Sequence, residues 1–141
     1  MLAASPPWLG AEAAAVVRHG FSVVCHQLPG RSPHVDGVAL ALCHRCWGVL
    51  GGLALGLAAA PVLGPGRLAA VARGAQARWL VAAAVPTALD WLVGAVGLWT
   101  NTPLSRGLTG AIFGLVAGVV LAANLLAVPR RRPSPTLASP S

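Results

Sequence analysis

Lysine and tyrosine are both missing from this chain of 141 residues, and all ten basic residues are arginine. Acidic residues are nearly missing as well, with only Glu12, Asp36 and Asp90. Charged residues make up 9% of the chain, whereas soluble domains carry about a quarter. That shortage excludes an ordinary water-soluble globule, and a mean hydropathy of +0.73 agrees. The formal net charge of +7 would suit nucleic acid. However, the arginines are scattered and no aromatic–basic surface or nucleic-acid motif accompanies them, so no nucleic-acid partner is expected. In so apolar a chain their better use is to orient the protein in a lipid bilayer. A clean leader pattern is lacking too. Residues 10–28 look helical, but Glu12 lies early in the apolar run and Arg18-His19 interrupt it, unlike a signal peptide.

What is present is a set of apolar segments divided by glycine, proline and arginine. We expect an all-α integral membrane protein with about three transmembrane helices plus an N-terminal interfacial or re-entrant helix. Residues 1–9 are expected to be a flexible start, residues 10–128 a single helical membrane domain, and residues 129–141 a disordered Arg/Pro/Ser tail. The spans are placed near 46–63, 79–99 and 103–128, each close to the length that crosses a bilayer. Pro29-Gly30 ends the N-terminal helix, and residues 31–40 read as a polar loop. Pro61 and Gly64-Pro65-Gly66 end the first span, and residues 64–78 read as a loop. Trp79 and Trp99 bracket the second span as interfacial anchors, and Pro86 predicts a kink within it. Thr102-Pro103 reads as the N-cap and first position of the third span. Gly48, Gly52 and Gly56, and again Gly110, Gly114 and Gly118, form stripes at four-residue spacing that let another helix approach closely. Such stripes also suit a homo-oligomer or a membrane partner.

Three spans put the loop at 64–78 and the C-terminal tail on one side, with six arginines between them. The positive-inside rule then places the C-terminus in the cytoplasm, in the plasma membrane of a prokaryote. The opposite face carries the residues of chemical interest. All three cysteines and three of the four histidines fall between Cys25 and Gly48. Cys43 and Cys46 form a Cys-x-x-Cys pair at a helix start, where unpaired amides favour thiolate. That spacing suits two ligands to one soft metal ion or a dithiol that closes to a disulfide. Cys25 and His26 are candidate further ligands, and Cys25 is alternatively a third redox thiol. Inert apolar filling at helix ends is a further reading.

Asp90 is an acid inside an apolar span, which is costly and points to a protein-facing or hydrated position. Ala83, Thr87, Asp90, Gly94, Gly97 and Asn101 fall three or four apart, giving a small, polar face that should pack inward. Asp90 is placed about 14 Å below Trp99, so an ion pair with Arg106 would need the third helix to reach down or the site to be wet. A structural interhelical hydrogen bond, a proton or ion role, and a link to the cysteine site are all open for Asp90. Arg31 either binds an acidic headgroup or anion or caps a helix end, and Asn101 and Arg106 brace the outer turn.

These residues resemble the small membrane proteins called domain of unknown function 2085. The resemblance rests on Cys25, His26 and Gln27, on Arg31-Ser32, on Cys43, Arg45, Cys46 and Gly48, and on Asp90, Asn101, Arg106, Thr109 and Gly110. It covers about residues 22–118. Trp47 and Pro33 depart from the Thr and the aromatic residue that family members often have there. The family implies no established activity. It does imply that these polar residues work together at one site. The function expected is a Cys/His metal site at the extracytoplasmic face, holding zinc or copper through Cys25, His26, Cys43 and Cys46. The alternatives are a membrane thiol–disulfide redox protein using Cys43 and Cys46 with Cys25 as relay, and a structural or assembly subunit. Whether the protein is an enzyme is left open.

Overall fold

A computed structural model describes residues 2–98 and 100–126. Five helices dominate it: α1 (Ala11–Phe21), α2 (His44–Ala58), α3 (Ala60–Arg73), α4 (Gln76–Ala95) and α5 (Pro103–Leu126). The helical class is as expected. A two-residue antiparallel hairpin, β1 (His34–Val35) and β2 (Val38–Ala39), is the exception. It lies in the stretch expected to be a polar loop. Its signal is the dipeptide Asp36-Gly37, whose φ angles of 49° and 79° suit the tight hairpin turn that Asp-Gly favours.

The centre of the molecule is the α2–α5 pair. Gly48, Gly52 and Gly56 face Gly110, Gly114 and Gly118, so both stripes are used within this chain. A methyl group added at Gly52 would overlap the Ala111 carbonyl oxygen, and one at Gly114 would overlap that of Val49. The backbones therefore meet directly, an approach that only small residues allow. The inward face expected on α4 is present as far as Gly94, whereas Gly97 and Asn101 lie beyond the helix end at Ala95. Ala83 is buried, Thr87 Oγ1 donates to the Thr109 carbonyl at 2.9 Å, and Gly94 sits against the Asn101 side chain.

Several boundaries differ from expectation. The helix expected over 10–28 stops at Phe21, so Cys25 and His26 lie beyond it on irregular chain. Gln27, at φ 49°, turns back and its side-chain amide donates to the Arg18 carbonyl. It thereby satisfies one of the acceptors a helix end leaves open. The loop expected at 64–78 is mostly helix. Gly64, at φ 74°, breaks the backbone as the glycine–proline signal suggests, but Pro65 then opens a new helical run. Proline is well suited to a first helical position, and good helix formers follow it. The axis turns by 82° between α2 and α3. Leu68 on α3 docks beside Ala122 and Ala123 of α5. The second span begins earlier and ends earlier than expected, at Gln76 and Ala95, and runs through Pro86. Asp90 is therefore not central but five residues from the helix end. Residues 1–9, expected to be loose, include short 3-10 turns at Leu2–Ala4 and Pro6–Trp8, with Ala3 and Pro6 buried. Trp99 and the tail at 129–141 lie outside the described residues.

Three spans were expected. Among the described residues one helix, α5, is long and apolar enough to cross a membrane by itself, or two segments if the bent α2–α3 pair is one crossing. At 1.5 Å per residue α2 is about 22 Å long, short of a hydrocarbon core of about 30 Å. The 20 residues of α4 reach that length, but Arg78, Thr87 and Asp90 lower its hydropathy.

The seam makes a direct prediction. Gly114→Val should destabilise the fold by about 3 kcal/mol or more, because overpacking here displaces backbone rather than side chains. Gly51→Ala, with open space at its Cβ position, should change stability by less than about 1 kcal/mol. Thermal unfolding of the detergent-purified variants checks both.

Candidate metal centre

Two separate pieces of chain deliver the three thiols. Cys25 sits on the irregular segment after α1, Cys43 is the N-cap of α2, and Cys46 is the third residue of that helix. Their sulfur atoms all lie within 4.8 Å of one another. Cys43 Sγ and Cys46 Sγ are 3.4 Å apart, and the Cys43 amide donates to Cys25 Sγ at 3.3 Å. Thiolates bound to one tetrahedral metal at bonds near 2.3 Å stand about 3.8 Å from each other, so the Cys43–Cys46 pair would open slightly and no sulfur would need to move by more than about 1 Å. All three cysteines are free.

The cluster has a packed apolar side. Cys25, Ala3 and Leu42 are buried together, with Phe21 and Trp47 against them. The hairpin brings this cover into place. After β2 the chain runs through the fully buried Ala41 and Leu42, and the Ala41 amide donates to the Ala3 carbonyl at 3.1 Å. The ring of His44 meets the Arg31 carbonyl at 2.8 Å, holding the Pro29–Arg31 turn against the start of α2. His34 is exposed on β1.

The other side opens into a cavity of about 740 Å³. Cys25, Cys43 and Cys46 line it, as do His26, Arg31, Arg45, Asn101 and Arg106. Every residue proposed for the site from sequence thus borders one space, except Asp90. Asp90 sits behind that wall and pairs with Arg45. The Arg45 partner was not foreseen, and among the described residues Asp90 and Arg106 form no ion pair. The link is possible because Arg45 leaves the first turn of α2 where the glycine seam presses α2 onto α5. Asn101 Nδ2 donates to the Asp90 carbonyl, which turns the chain after α4 back over the site. His26 lies outside the thiol cluster, exposed on the cavity wall. Trp91 and Thr100 also line the cavity, and nothing in their local sequence marked them.

Electrostatics at the helix start favour ionisation of Cys43. Burial opposes the thiolate, but the Cys46 backbone, the thiols of Cys46 and Cys25 and the Arg45 backbone outweigh it and hold the Cys43 thiol below its ordinary range. A lowered thiol suits metal ligation, since the thiolate is the ligand.

Residues 25–120 match the family described as "Predicted membrane protein (DUF2085)". The chain belongs to this family. The matched region contains all the motif residues on which the DUF2085 resemblance rests. One relative is the uncharacterized protein MJ1492 of Methanocaldococcus jannaschii, 30% identical over 94 residues. That alignment covers 67% of this chain and 58% of the archaeal protein, so the chain spans little more than half of its relative. No solved structure matches.

Two outcomes follow from this geometry. Asp90→Ala should cost about 3–5 kcal/mol, because it strands a largely buried guanidinium. Replacing both Arg45 and Asp90 with leucine should cost less than that single change, and a double-mutant unfolding cycle measures the difference. In metal-free folded protein, alkylation of Cys43 should reach half its maximal rate at lower pH than in the unfolded chain, where thiols ionise near about pH 8.5. The sign follows from the depressed pKa, which keeps the reactive thiolate present at lower pH.

Proposed function

We propose that this DUF2085 protein is a three-span membrane protein carrying a thiolate metal site at its extracytoplasmic face. The observation that carries the reading is the convergence of Cys25, Cys43 and Cys46 from separate segments to within 4.8 Å. Inert filling would not require thiols from two sides of a loop to meet around one point. Three sulfur donors suit zinc or cuprous copper. His26, beside Cys25 and on the same cavity wall, is the candidate fourth ligand. Because the thiols border an open space, the fourth position can also accept water or a ligand, as in metal sites that do more than hold a fold.

The membrane reading rests on the family and on the outer surface of the bundle. Large apolar side chains point outward on all three long segments, including Leu50 and Leu55 on α2, Val81 and Leu89 on α4, and Leu108 and Ile112 on α5. A continuous apolar exterior is costly in water and natural in lipid. With α2, α4 and α5 as the spans, Arg67, Arg73 and Arg78 lie on the side of the C-terminus, together with Arg130, Arg131 and Arg132 of the sequence. The positive-inside rule makes that side cytoplasmic, in the plasma membrane of a prokaryote. The two alternatives, thiol–disulfide exchange through Cys43 and Cys46 and a purely structural or assembly role, gain no separate support from this geometry.

Metal analysis of anaerobically purified protein tests the proposal. Wild type should retain about one equivalent of zinc or copper per chain, and Cys25→Ser, Cys43→Ser and Cys46→Ser should each lose most of it. Wild type without stoichiometric metal, or Cys43→Ser with an undiminished content, would overturn the assignment.

A further inference from the structure

The cavity beside the thiols carries a charge imbalance. Three guanidinium-bearing residues, Arg31, Arg45 and Arg106, line it, and no carboxylate does among the described residues. Arg45 is committed to Asp90 behind the wall. Among the described residues, Arg31 and Arg106 have no carboxylate partner, and neither guanidinium donates a hydrogen bond. Both are nonetheless held in place. The carbonyl of Arg31 is engaged by the His44 ring at 2.8 Å, and Arg106 stands in the first turn of α5, where its amide donates to the Thr102 carbonyl at 3.2 Å. The starts of α2 and α5 border the same space and add their partial positive charge.

Arg31 is exposed and Arg106 half-buried, and with no protein carboxylate beside them both guanidiniums are available to an anion entering the cavity. The remaining walls say what kind of anion. Val24, Leu28, Trp91 and Ala95 supply apolar surface. A space of about 740 Å³ falls within the range of about 300–1,000 Å³ typical of organic ligands. It is far more than a bare inorganic ion needs. Guanidinium groups match the paired oxygens of a phosphoryl group. We propose that this cavity binds a phosphate-bearing amphiphile, its charged head between Arg31 and Arg106 and its apolar part against Trp91 and Leu28. The source is either a phospholipid headgroup entering from the bilayer or a free organic phosphate.

This site goes beyond the metal assignment and can fail separately from it. If Arg31 and Arg106 serve only to offset the charge of a metal–thiolate centre, removing them lowers metal content and leaves anion binding unchanged. The probe is hexyl phosphate, titrated by calorimetry into the full chain in dodecyl maltoside micelles, which carry no phosphate, with hexanol as the uncharged control. Wild type should bind hexyl phosphate and not hexanol. Arg31→Gln and Arg106→Gln should each weaken binding by about tenfold or more, as loss of a charge-assisted hydrogen bond requires. Their metal content should stay that of wild type, and Arg67→Gln, outside the cavity, should bind normally. Arg31→Lys and Arg106→Lys keep the charge and should retain part of the affinity, which guards against a variant that merely misfolds. A second set of micelles doped with phosphatidylglycerol separates the sources. Competition with hexyl phosphate assigns the site to a lipid headgroup, and undiminished binding assigns it to a free phosphate. Wild-type binding no stronger than hexanol, or equal binding by wild type and both glutamine variants, would overturn the proposal.

Discussion

Backbone contact between α2 and α5 is the constraint on which the rest of this structure depends. Six glycines remove the side chains that would hold the two helices apart, and the carbonyl of one helix lies against the Cα of the other. The seam extends to the site itself. Gly110 abuts the Arg45 carbonyl, and Gly107 lies near that of His44. The start of α2, with Cys43 and Cys46, is thereby fixed next to the start of α5, with Arg106. In lipid, where burial of apolar surface gives helices no reason to associate, close van der Waals packing of this kind supplies the attraction.

The ion pair between Arg45 and Asp90 adds α4 to that frame. Arg45 and Asp90 are 22% and 10% exposed at their side chains, so neither charge is well solvated and each needs the other. Because Arg45 lies between the two cysteines of the Cys-x-x-Cys pair, the bond also fixes the turn that carries them. Asn101 closes the arrangement from the following loop through the Asp90 carbonyl. The polar residues thus form a frame around the thiols: Arg45 orients the helix start, Asp90 anchors Arg45, and Asn101 folds the outer turn over the cavity.

The N-terminal third supplies the remaining thiol and the cover. Its order depends on few apolar contacts, chiefly Ala3, Cys25 and Leu42, with the hairpin and the His44–Arg31 contact tying it to the start of α2. Placing Cys25 on irregular chain rather than on a helix has a consequence for chemistry. Such a segment can adjust by the small movement a metal needs, while the pair on α2 stays rigid.

The sequence by itself determined the helical class, the membrane character, the two glycine stripes and the Cys43–Cys46 pair, whereas the meeting of Cys25 with that pair was decided by the tertiary structure. The former follow from local composition and spacing, because apolar runs, four-residue glycine repeats and a Cys-x-x-Cys turn carry their physical meaning within a few residues. The hairpin turn at Asp36-Gly37 and the helix opened by Pro65 were equally local signals, outweighed by the polarity and glycine–proline content around them. Only the tertiary structure decided that the stripes meet each other, that Asp90 is paired with Arg45 rather than Arg106, and that His26 stands off the thiol cluster. It also decided that Arg31 and Arg106 share a cavity to which, among the described residues, no carboxylate contributes. Partner choice among charged side chains depends on where helix ends come to lie in space, and that was set here by how closely two glycine-lined backbones can approach.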